Sequence, residues 1–497
     1  MEKTKKKFEL QDKHIFILYM LLFLGAAVTL ALMQPFADTP PWYGNPPDEP
    51  SRFKVAQFIC KYGRLPNGFD PEIRIAGYGV SYGFYTMLPY IVQGLFMRFV
   101  SLFTTSEVAL LYAARFVDVA CGAVMAAVVY GIGNRLFKDR RFKWLFCVLT
   151  MFLPQSLFLH TYVNTDSMCM MSTAIIFYAL VRAYRSDFSI RNCLILSVGI
   201  IICALSYYNA YGCILSSIFL FVGFYVYRDG QSGRLKCDWK NMWKRGGLVA
   251  AVVLLGIGWF FIRNAILYDG DFIGLKSLRL CAEMYGDPAV QPYGKCYAAR
   301  GIPVLTMLKE RNFFAGLFIS FVAALGSMSI YGNIWMYRFY KVVFAVGFLS
   351  FILIRKKIAD GQAKARTVFF HINMVLWMII PVILLIDYAY TYDYQNQGRY
   401  IMPALIPIMY YAVGGLQKLA SLSWIPAKWG KTKKYLTVLA NVAVYAAVAC
   451  GILFLVHTVF FCAVPTYRAI YPYLDGNLLN RILSVSYTHL RAHETKA

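Results

Sequence analysis

Two adjacent carboxylates follow the first long apolar run of the chain. Asp48 and Glu49 lie in NPPDEPSRF, residues 45–53, between prolines and close to Arg52 and Lys54. Because proline restricts the backbone, these acids have limited freedom. A carboxylate held there could accept a proton from a hydroxyl or help to bind a divalent cation. The same pattern suits a helix cap facing the amino end of the following helix, and the sequence leaves both interpretations open.

A second acidic stretch lies where one apolar run ends and the next begins. LPQSLFLHTYVNTDSM contains Asn164 and Asp166. Asn-Thr-Asp is also common in turns and at helix starts, so the motif alone is a weak indication of a site.

A third stretch combines one arginine with many tyrosines. In DYAYTYDYQNQGRYIMP, residues 387–403, Arg399 precedes Tyr400 at the start of an apolar run. The planar arginine side chain suits phosphate oxygens, and tyrosines can stack on sugar rings. The alternative is an interfacial tyrosine belt with one arginine that reaches the membrane surface.

Other charged residues lie inside or at the ends of apolar runs. Arg115 and Asp118 are three residues apart within one run, which predicts a self-neutralising pair on one helix face. Arg263, at the end of a run, could contact a lipid phosphate. The twelve cysteines show no metal-ligand spacing, and Cys281 and Cys296 could form a disulfide.

Composition predicts an integral membrane protein. Of 497 residues, 59% are hydrophobic and only 15% charged, more apolar sequence than one soluble core requires. The net charge of +25 comes mainly from short basic clusters between apolar runs. This pattern is typical of loops that face an anionic cytoplasmic leaflet, and it argues against nucleic acid as a partner.

The apolar runs predict about eleven spans, at about 20 residues per crossing. They are residues 14–33, 110–137, 144–160, 167–184, 193–207, 208–227, 246–262, 337–354, 368–386, 401–416 and 435–461.

The basic clusters orient these spans. They place the amino terminus in the cytosol and two long loops, residues 34–109 and 263–336, outside. Moderately apolar stretches at 77–103 and 313–330 predict helices lying in the membrane interface. We therefore expect one all-α membrane domain over residues 1–480. The polar tail, 481–497, is predicted to be non-native or disordered, and its two histidines are excluded from the site.

The three chemical stretches together resemble a bacterial polytopic membrane family, domain of unknown function 2142. Its members look like glycosyltransferases of the GT-C superfold. The matching residues are PPDEPSRF (Pro46–Phe53), VNTDSM (Val163–Met168) and QGRYIMP (Gln397–Pro403), which also agree in order and separation. The family usually has histidine at the position of Arg52 and asparagine at that of Thr165. The first departure weakens a role for position 52 as a base or metal ligand.

The resemblance implies a membrane enzyme of the bacterial cell envelope. It would take a sugar from a polyprenyl-phosphate donor at the outer face of the cytoplasmic membrane, with inversion. The acceptor would be a glycan, lipid or protein.

The resemblance also implies roles for particular residues. Asp48 would be the base, Glu49 would assist, and Asp166 would be a second acid. Arg399, with Arg263 as a second candidate, would hold the donor phosphate. The remaining substrate-binding candidates are Arg52, Asn164, Gln397 and Tyr400. A divalent cation, Mg²⁺ or Mn²⁺, is optional in this superfold, and its ligands would be Asp48, Glu49 and Asp166.

Two other classes of function stay open from the sequence. A transporter or flippase of lipid-linked glycans would be expected to have polar residues lining a path through the spans, whereas most notable charges here gather on one side. A non-catalytic envelope-assembly protein is the other alternative. The chain has neither a nucleotide-binding GxxxxGK[ST] loop nor a serine-elbow motif.

Overall fold

The computed structural model describes residues 11–36, 45–229, 232, 234–289, 295–354, 362–425 and 430–470. The tail at 481–497 lies outside these ranges. Within them the chain is almost entirely helical, which confirms the all-α prediction. One short hairpin, β1 (Val226–Arg228) with β2 (Leu235–Cys237), pairs antiparallel with Val226 opposite Cys237.

The described residues of the first half of the chain form nine α-helices. They are α1 (Asp12–Met33), α2 (Glu49–Tyr62), α3 (Leu88–Val100), α4 (Glu107–Leu136), α5 (Arg140–Met151), α6 (Pro154–Leu159), α7 (Asp166–Arg185), α8 (Ile190–Ser206) and α9 (Tyr211–Tyr225).

The second half, within the described ranges, contains nine more. They are α10 (Trp239–Leu267), α11 (Leu275–Tyr285), α12 (Val304–Glu310), α13 (Phe313–Val322), α14 (Ile334–Leu353), α15 (Gln362–Thr391), α16 (Leu405–Ala420), α17 (Gly430–Val456) and α18 (Val464–Ile470). Short 3₁₀ segments occupy Pro71–Ile73, Tyr82–Phe84, Tyr208–Ala210 and Gly398–Ala404, and a π-helix spans His457–Ala463.

Eight helical segments in the described ranges are long and apolar enough to cross a membrane. The predicted count of eleven is therefore not confirmed. Three predicted spans are shorter or broken: α8 has 17 residues, α16 has 16, and residues 144–160 divide into α5 and α6. Pro154 explains the division, because a proline lacks the amide hydrogen and holds the preceding Leu153 outside the helical region.

Short helices lie in both long loops, where α3 and α13 occupy the two predicted stretches. The loops also contact each other. The Asp287 amide donates to the Gly77 carbonyl at 2.7 Å, and Cys281 Sγ lies 3.2 Å from the Gly79 carbonyl. Cys281 is buried and Cys296 partly buried, and both are free thiols, so the possible disulfide is absent.

Helix α4 is central to the fold and packs against α1, α3, α5 and α7. Its Arg115 is completely buried, as is the adjoining amino end of α2 at Glu49. Consequently the ends of α1, α2 and α7 meet beside α4, and these ends carry the first two stretches singled out above.

Candidate functional site

Asp48 is the residue just before α2, and its carboxylate points toward Arg399. Arg399 Nη2 donates to Asp48 Oδ2 at 3.0 Å, and Arg52 Nη2 lies 3.8 Å from the same oxygen. The backbone of Asp48 is left-handed, with φ 61°, which is uncommon for a residue other than glycine. Its side chain makes no helix-capping hydrogen bond. The Asp48 side chain is 37% exposed, whereas that of Arg399 is 5% exposed.

Two arginines determine the protonation state of Asp48. Burial by itself would raise the pKa of this carboxyl, but the positive charges of Arg399 and then Arg52 outweigh it. The pKa of Asp48 is therefore lowered below its ordinary value. Asp48 is a carboxylate at neutral pH, and it is available to accept a proton.

Glu49, next in sequence, has a different environment. It is fully buried, and both carboxylate oxygens face Arg115, at 2.8 Å from Nε and 2.5 Å from Nη2. The Val163 amide also donates to Glu49 Oε1 at 2.8 Å. We call Glu49 and Arg115 the buried clamp. Both oxygens of the Glu49 side chain are therefore engaged by Arg115 and the Val163 amide, whereas Arg399 binds Asp48.

Arg115 extends the buried clamp to the end of α1. Its Nη1 donates to the Ala31 and Gln34 carbonyls, and its Nη2 to the Pro35 carbonyl, at 2.8–3.2 Å. The predicted Arg115–Asp118 pair is therefore wrong. Asp118 instead accepts a hydrogen bond from Gln93 Nε2 at 2.8 Å, because that side chain reaches it from α3.

Asp166 begins α7 and is 3% exposed. Its Oδ2 has no hydrogen-bond partner in the described part of the chain. Arg52, Arg399 and Asp48 all interact with it electrostatically, so these four side chains form one charged cluster. Arg52 is tied to this end of α7, because its Nη1 donates to Thr165 Oγ1 at 2.8 Å. We call Asp48, Arg52, Asp166 and Arg399 the charged cluster.

Asn164 serves the turn that precedes α7. Its side-chain amide donates to the Leu159 and Tyr162 carbonyls at 2.9 and 2.6 Å, and its Oδ1 accepts from the Ser167 amide at 2.9 Å. These contacts hold the first turn of α7 in place. The structure therefore supports the turn interpretation of Asn164, which positions Asp166.

Arg399 lies in the 3₁₀ segment before α16. Its Nη2 also donates to Tyr400 Oη at 3.2 Å, while Nε and Nη1 have no hydrogen-bond partner among the described residues. Tyr400 Oη in turn donates to Gln395 Oε1. The buried Gln397 Oε1 is likewise without a partner in the described ranges.

The backbone next to Arg399 is fixed by α13. The Gly398 amide donates to Ser320 Oγ at 2.8 Å. A Cβ atom at Gly398 would lie 2.1 Å from the Phe321 backbone nitrogen, so only glycine fits this contact. This close approach places Arg399 beside Asp48, 351 residues away in sequence.

Sequence reasoning missed several tyrosines around the charged cluster. The Arg52 guanidinium stacks on the Tyr82 ring at 4.6 Å from its centroid, and Arg52 Nη1 lies 3.4 Å from Tyr90 Oη. Tyr162 is completely buried, and its hydroxyl has no partner in the described segments. The one available signal was that Tyr162 stands in the stretch with Asn164 and Asp166. Tyr82 and Tyr90 resemble ordinary interfacial aromatics in sequence.

Arg263 is not brought to the charged cluster. Its Nη2 donates to the Pro66 carbonyl at 2.6 Å, beyond the carboxyl end of α2, whereas Asp48 precedes the amino end of that helix. A helix of 14 residues is about 21 Å long. One phosphate group cannot contact both ends.

The predicted metal ligands do not fit a shared ion. Both oxygens of Glu49 are bound to Arg115. Asp48 and Asp166 lie beside the positive charges of Arg52 and Arg399. Across the described residues, no group of three or more His, Cys, Asp or Glu side chains could hold a metal.

Solved structures share this fold. The oligosaccharyltransferase of Archaeoglobus fulgidus, solved with an acceptor peptide containing the NVT sequon, has a TM-score of 0.53 and 15% identity, covering 90% of this chain and 55% of its own. The same archaeal enzyme with an inhibitory peptide and a dolichol-phosphate gives a TM-score of 0.53, 16% identity and coverage of 90% and 56%. The chain thus spans about half the length of that enzyme.

A second solved protein matches over more of its length. ArnT from Cupriavidus metallidurans, bound to undecaprenyl phosphate, has a TM-score of 0.53 and 11% identity, covering 92% of this chain and 78% of its own. These likenesses confirm the GT-C fold that the three motifs implied. No curated protein matches the chain in sequence.

A family model described as "Predicted membrane protein (DUF2142)" matches residues 57–409. The matched region includes Val163–Met168 and Gln397–Pro403, and Pro46–Phe53 comes just before it. Since the match covers more than half of the 497 residues, the chain belongs to the DUF2142 family of membrane proteins.

Proposed function

We propose that this protein is a membrane glycosyltransferase with a polyprenyl-phosphate sugar as donor and a cell-envelope glycan, lipid or protein as acceptor. The observation that carries the proposal is a set of buried polar atoms, around an ionised carboxylate, that have no hydrogen-bond partner among the described residues. They are Arg52 Nε, Arg399 Nε, Arg399 Nη1, Asp166 Oδ2 and Tyr162 Oη. Leaving a buried polar atom unpaired costs about 1–3 kcal/mol, so such a group favours a polar ligand that would satisfy it.

The free donors on the arginines suit a phosphate. Arg399 uses one nitrogen for Asp48 and Tyr400, while its other two nitrogens and Arg52 Nε have no partner in the part of the chain that the structure describes. Charge-assisted hydrogen bonds to phosphate are about twice as strong as neutral ones. The phosphate also becomes more negative as the sugar leaves, so these arginines would stabilise the transition state. The fold shared with proteins bound to dolichol-phosphate and undecaprenyl phosphate supports this choice of donor.

The general base in this proposal is Asp48. It is ionised, partly exposed and adjacent to the arginine that would hold the leaving phosphate. In one displacement, the acceptor oxygen forms a bond to the anomeric carbon while the bond from that carbon to the phosphate oxygen breaks. Asp48 takes the acceptor proton, and the electron pair of the broken bond leaves with the lipid phosphate. A single attack from the opposite face inverts the anomeric configuration.

The other two acids have different proposed roles. Asp166 Oδ2 has no hydrogen-bond partner in the described ranges, so it would accept a hydrogen bond from a sugar hydroxyl and orient the donor. Glu49 is a positioning residue, because its carboxylate is fixed by Arg115 while it holds the backbone next to Asp48.

We further propose that the charged cluster faces the outside of the cytoplasmic membrane. The Lys and Arg clusters between apolar runs support this orientation. In a cysteine-free background, a single cysteine at the exposed Leu102 should react with an impermeant thiol reagent, and one at the exposed Trp243 should not. The reverse pattern would contradict an outward site.

The direct test begins with lipid-linked sugars extracted from cells lacking the gene. A polyprenyl-phosphate sugar should accumulate, and the purified protein should consume it in the presence of an envelope acceptor. Exposed Glu283→Gln serves as the control and should keep the activity. Movement of the intact lipid-linked sugar across a bilayer without release of the sugar would identify a flippase instead.

A further inference from the structure

An open groove lies at the end of α2 remote from Asp48. It has a volume of about 500 Å³ and is lined by Arg64, Leu65, Asn67, Arg263, Ile266 and Leu267. Pockets that bind small molecules are commonly about 300–1,000 Å³. The groove therefore has room for a headgroup, and its lining combines two arginines with exposed aliphatic side chains.

The chemistry of the lining is divided between charge and hydrocarbon. Arg263 donates to the Pro66 carbonyl and to Asn264 Oδ1, and it has no ion pair with a carboxylate in the described ranges. Arg64 Nη1 lies 3.7 Å from Asp70 Oδ2, and the Arg64 side chain is 60% exposed. Ile266, one turn beyond Arg263, is 75% exposed. A ligand that fits both parts carries negative charge at one end and an apolar chain at the other.

The groove is open to lipid from the side. Arg263, Ile266 and Leu267 come from α10. In the most apolar window of this helix only 6% of residues are buried, against 28% or more in each of the other seven candidate spans in the described ranges. Such a helix is covered by bilayer lipid, and an arginine near its end lies at the depth of lipid phosphates. A lipid can thus enter the groove without passing through the protein.

We propose that this groove binds the phosphate of a lipid whose hydrocarbon chain lies along Ile266 and Leu267. The site is separate from the charged cluster, because α2, about 21 Å long, stands between them. Arg263 and Arg64 supply guanidinium donors for the phosphate oxygens. The proposal does not depend on glycosyl transfer, and it gives Arg263 a ligand other than the donor at Arg399.

The test measures lipid retained by the full chain. The purified protein is exchanged into detergent containing equal amounts of dioleoyl phosphatidate and dioleoyl phosphatidylcholine, and bound lipid is quantified by mass spectrometry. Phosphatidate should be retained preferentially. In the double variant Arg64→Gln/Arg263→Gln, the ratio of bound phosphatidate to bound phosphatidylcholine should be about tenfold lower than in the wild type. This is the effect of roughly one charge-assisted contact.

Matched variants locate the effect. Lys276→Gln/Arg279→Gln removes two exposed charges from the neighbouring α11 and should retain phosphatidate as the wild type does. Arg399→Gln should also keep the groove lipid, although it impairs the proposed transfer. Equal retention by wild type and the groove variant, at unchanged thermal stability, would overturn the proposal. Loss of phosphatidate in Arg399→Gln alone would assign the lipid to the charged cluster and overturn it equally.

Discussion

Asp48 and Glu49 are neighbours in sequence but occupy opposite environments. Glu49 is fully buried, and each of its oxygens has a fixed donor in the buried clamp. Asp48 is partly exposed and has a strained left-handed backbone, and it faces arginines with nitrogens that lack a partner among the described residues. The comparison teaches that a carboxylate with every hydrogen bond satisfied stabilises a fold, whereas one beside unsatisfied donors is available to a ligand.

The largest expected effect concerns Asp48, the partly exposed carboxylate. Asp48→Asn keeps the size of the side chain but removes the base, and general bases typically contribute about 100- to 10,000-fold in rate. We expect transfer to fall by about 1,000-fold while the thermal unfolding temperature changes little. Purified protein is assayed with the accumulated donor, and Glu283→Gln is the control. If Asp48→Asn transferred sugar at the wild-type rate, Asp48 would not be the base, and Asp166 would be the next acid to test.

Glu49→Gln tests the carboxylate of the buried clamp. The amide cannot neutralise Arg115, and removing one partner of a buried ion pair typically destabilises a protein by about 3–5 kcal/mol. We expect a large loss of folded yield and thermal stability. The protein that remains folded should transfer sugar faster than Asp48→Asn. A Glu49→Gln protein with unchanged stability and no transfer would instead make Glu49 catalytic.

Arg399→Lys sharpens the assignment of the phosphate. Lysine keeps the positive charge but loses the planar set of donors, so the apparent KM for the donor should rise about tenfold with a smaller change in kcat. The measurement is a donor titration at saturating acceptor. Unchanged donor dependence in Arg399→Ala would reduce Arg399 to a residue that only anchors Asp48.

The smallest expected effect concerns pH. In the wild type the lowered pKa of Asp48 keeps it ionised, so kcat/KM should lack an acidic limb from Asp48 between pH 5 and 8. The ion pair also stabilises the fold above the ordinary pKa of about 3.9, and this contribution disappears as pH falls through the lower folded value.

Arg52→His introduces a separate pH dependence that can be measured. Histidine loses its charge near pH 6.5, so donor affinity should decline as pH rises through that region. The measurement is the pH dependence of KM for the donor. A flat profile in Arg52→His would show that position 52 does not contact the phosphate.

The fold was largely predictable because apolar length and basic clusters report bilayer crossings directly. The errors arose where a short apolar helix is broken or covered by protein, as at Pro154, since composition does not reveal what surrounds a run. The residues of the charged cluster were singled out by their types and positions, and their roles came from the family resemblance. Their contact could not be derived from spacing, because Asp48 and Arg399 lie 351 residues apart.

The partner of Arg115 was predicted wrongly for a related reason. A spacing of three residues places Arg115 and Asp118 near one helix face, but the long arginine side chain follows the stronger acceptors on the adjoining ends of α1 and α2. Tyr162 was missed because a buried aromatic in an apolar stretch resembles core packing. Only the assembled structure shows that its hydroxyl has no partner in the described ranges.

The buried clamp has a consequence for biogenesis. Arg115 follows Glu49 by 66 residues, and all three carbonyls that it binds come earlier still. A solitary arginine near the centre of a helix raises the cost of membrane insertion by about 2.5–3.5 kcal/mol. Because synthesis runs from the amino terminus, every hydrogen-bond partner of Arg115 in the described residues has already left the ribosome when α4 reaches the membrane. The order of the chain therefore allows the charge to be neutralised during insertion.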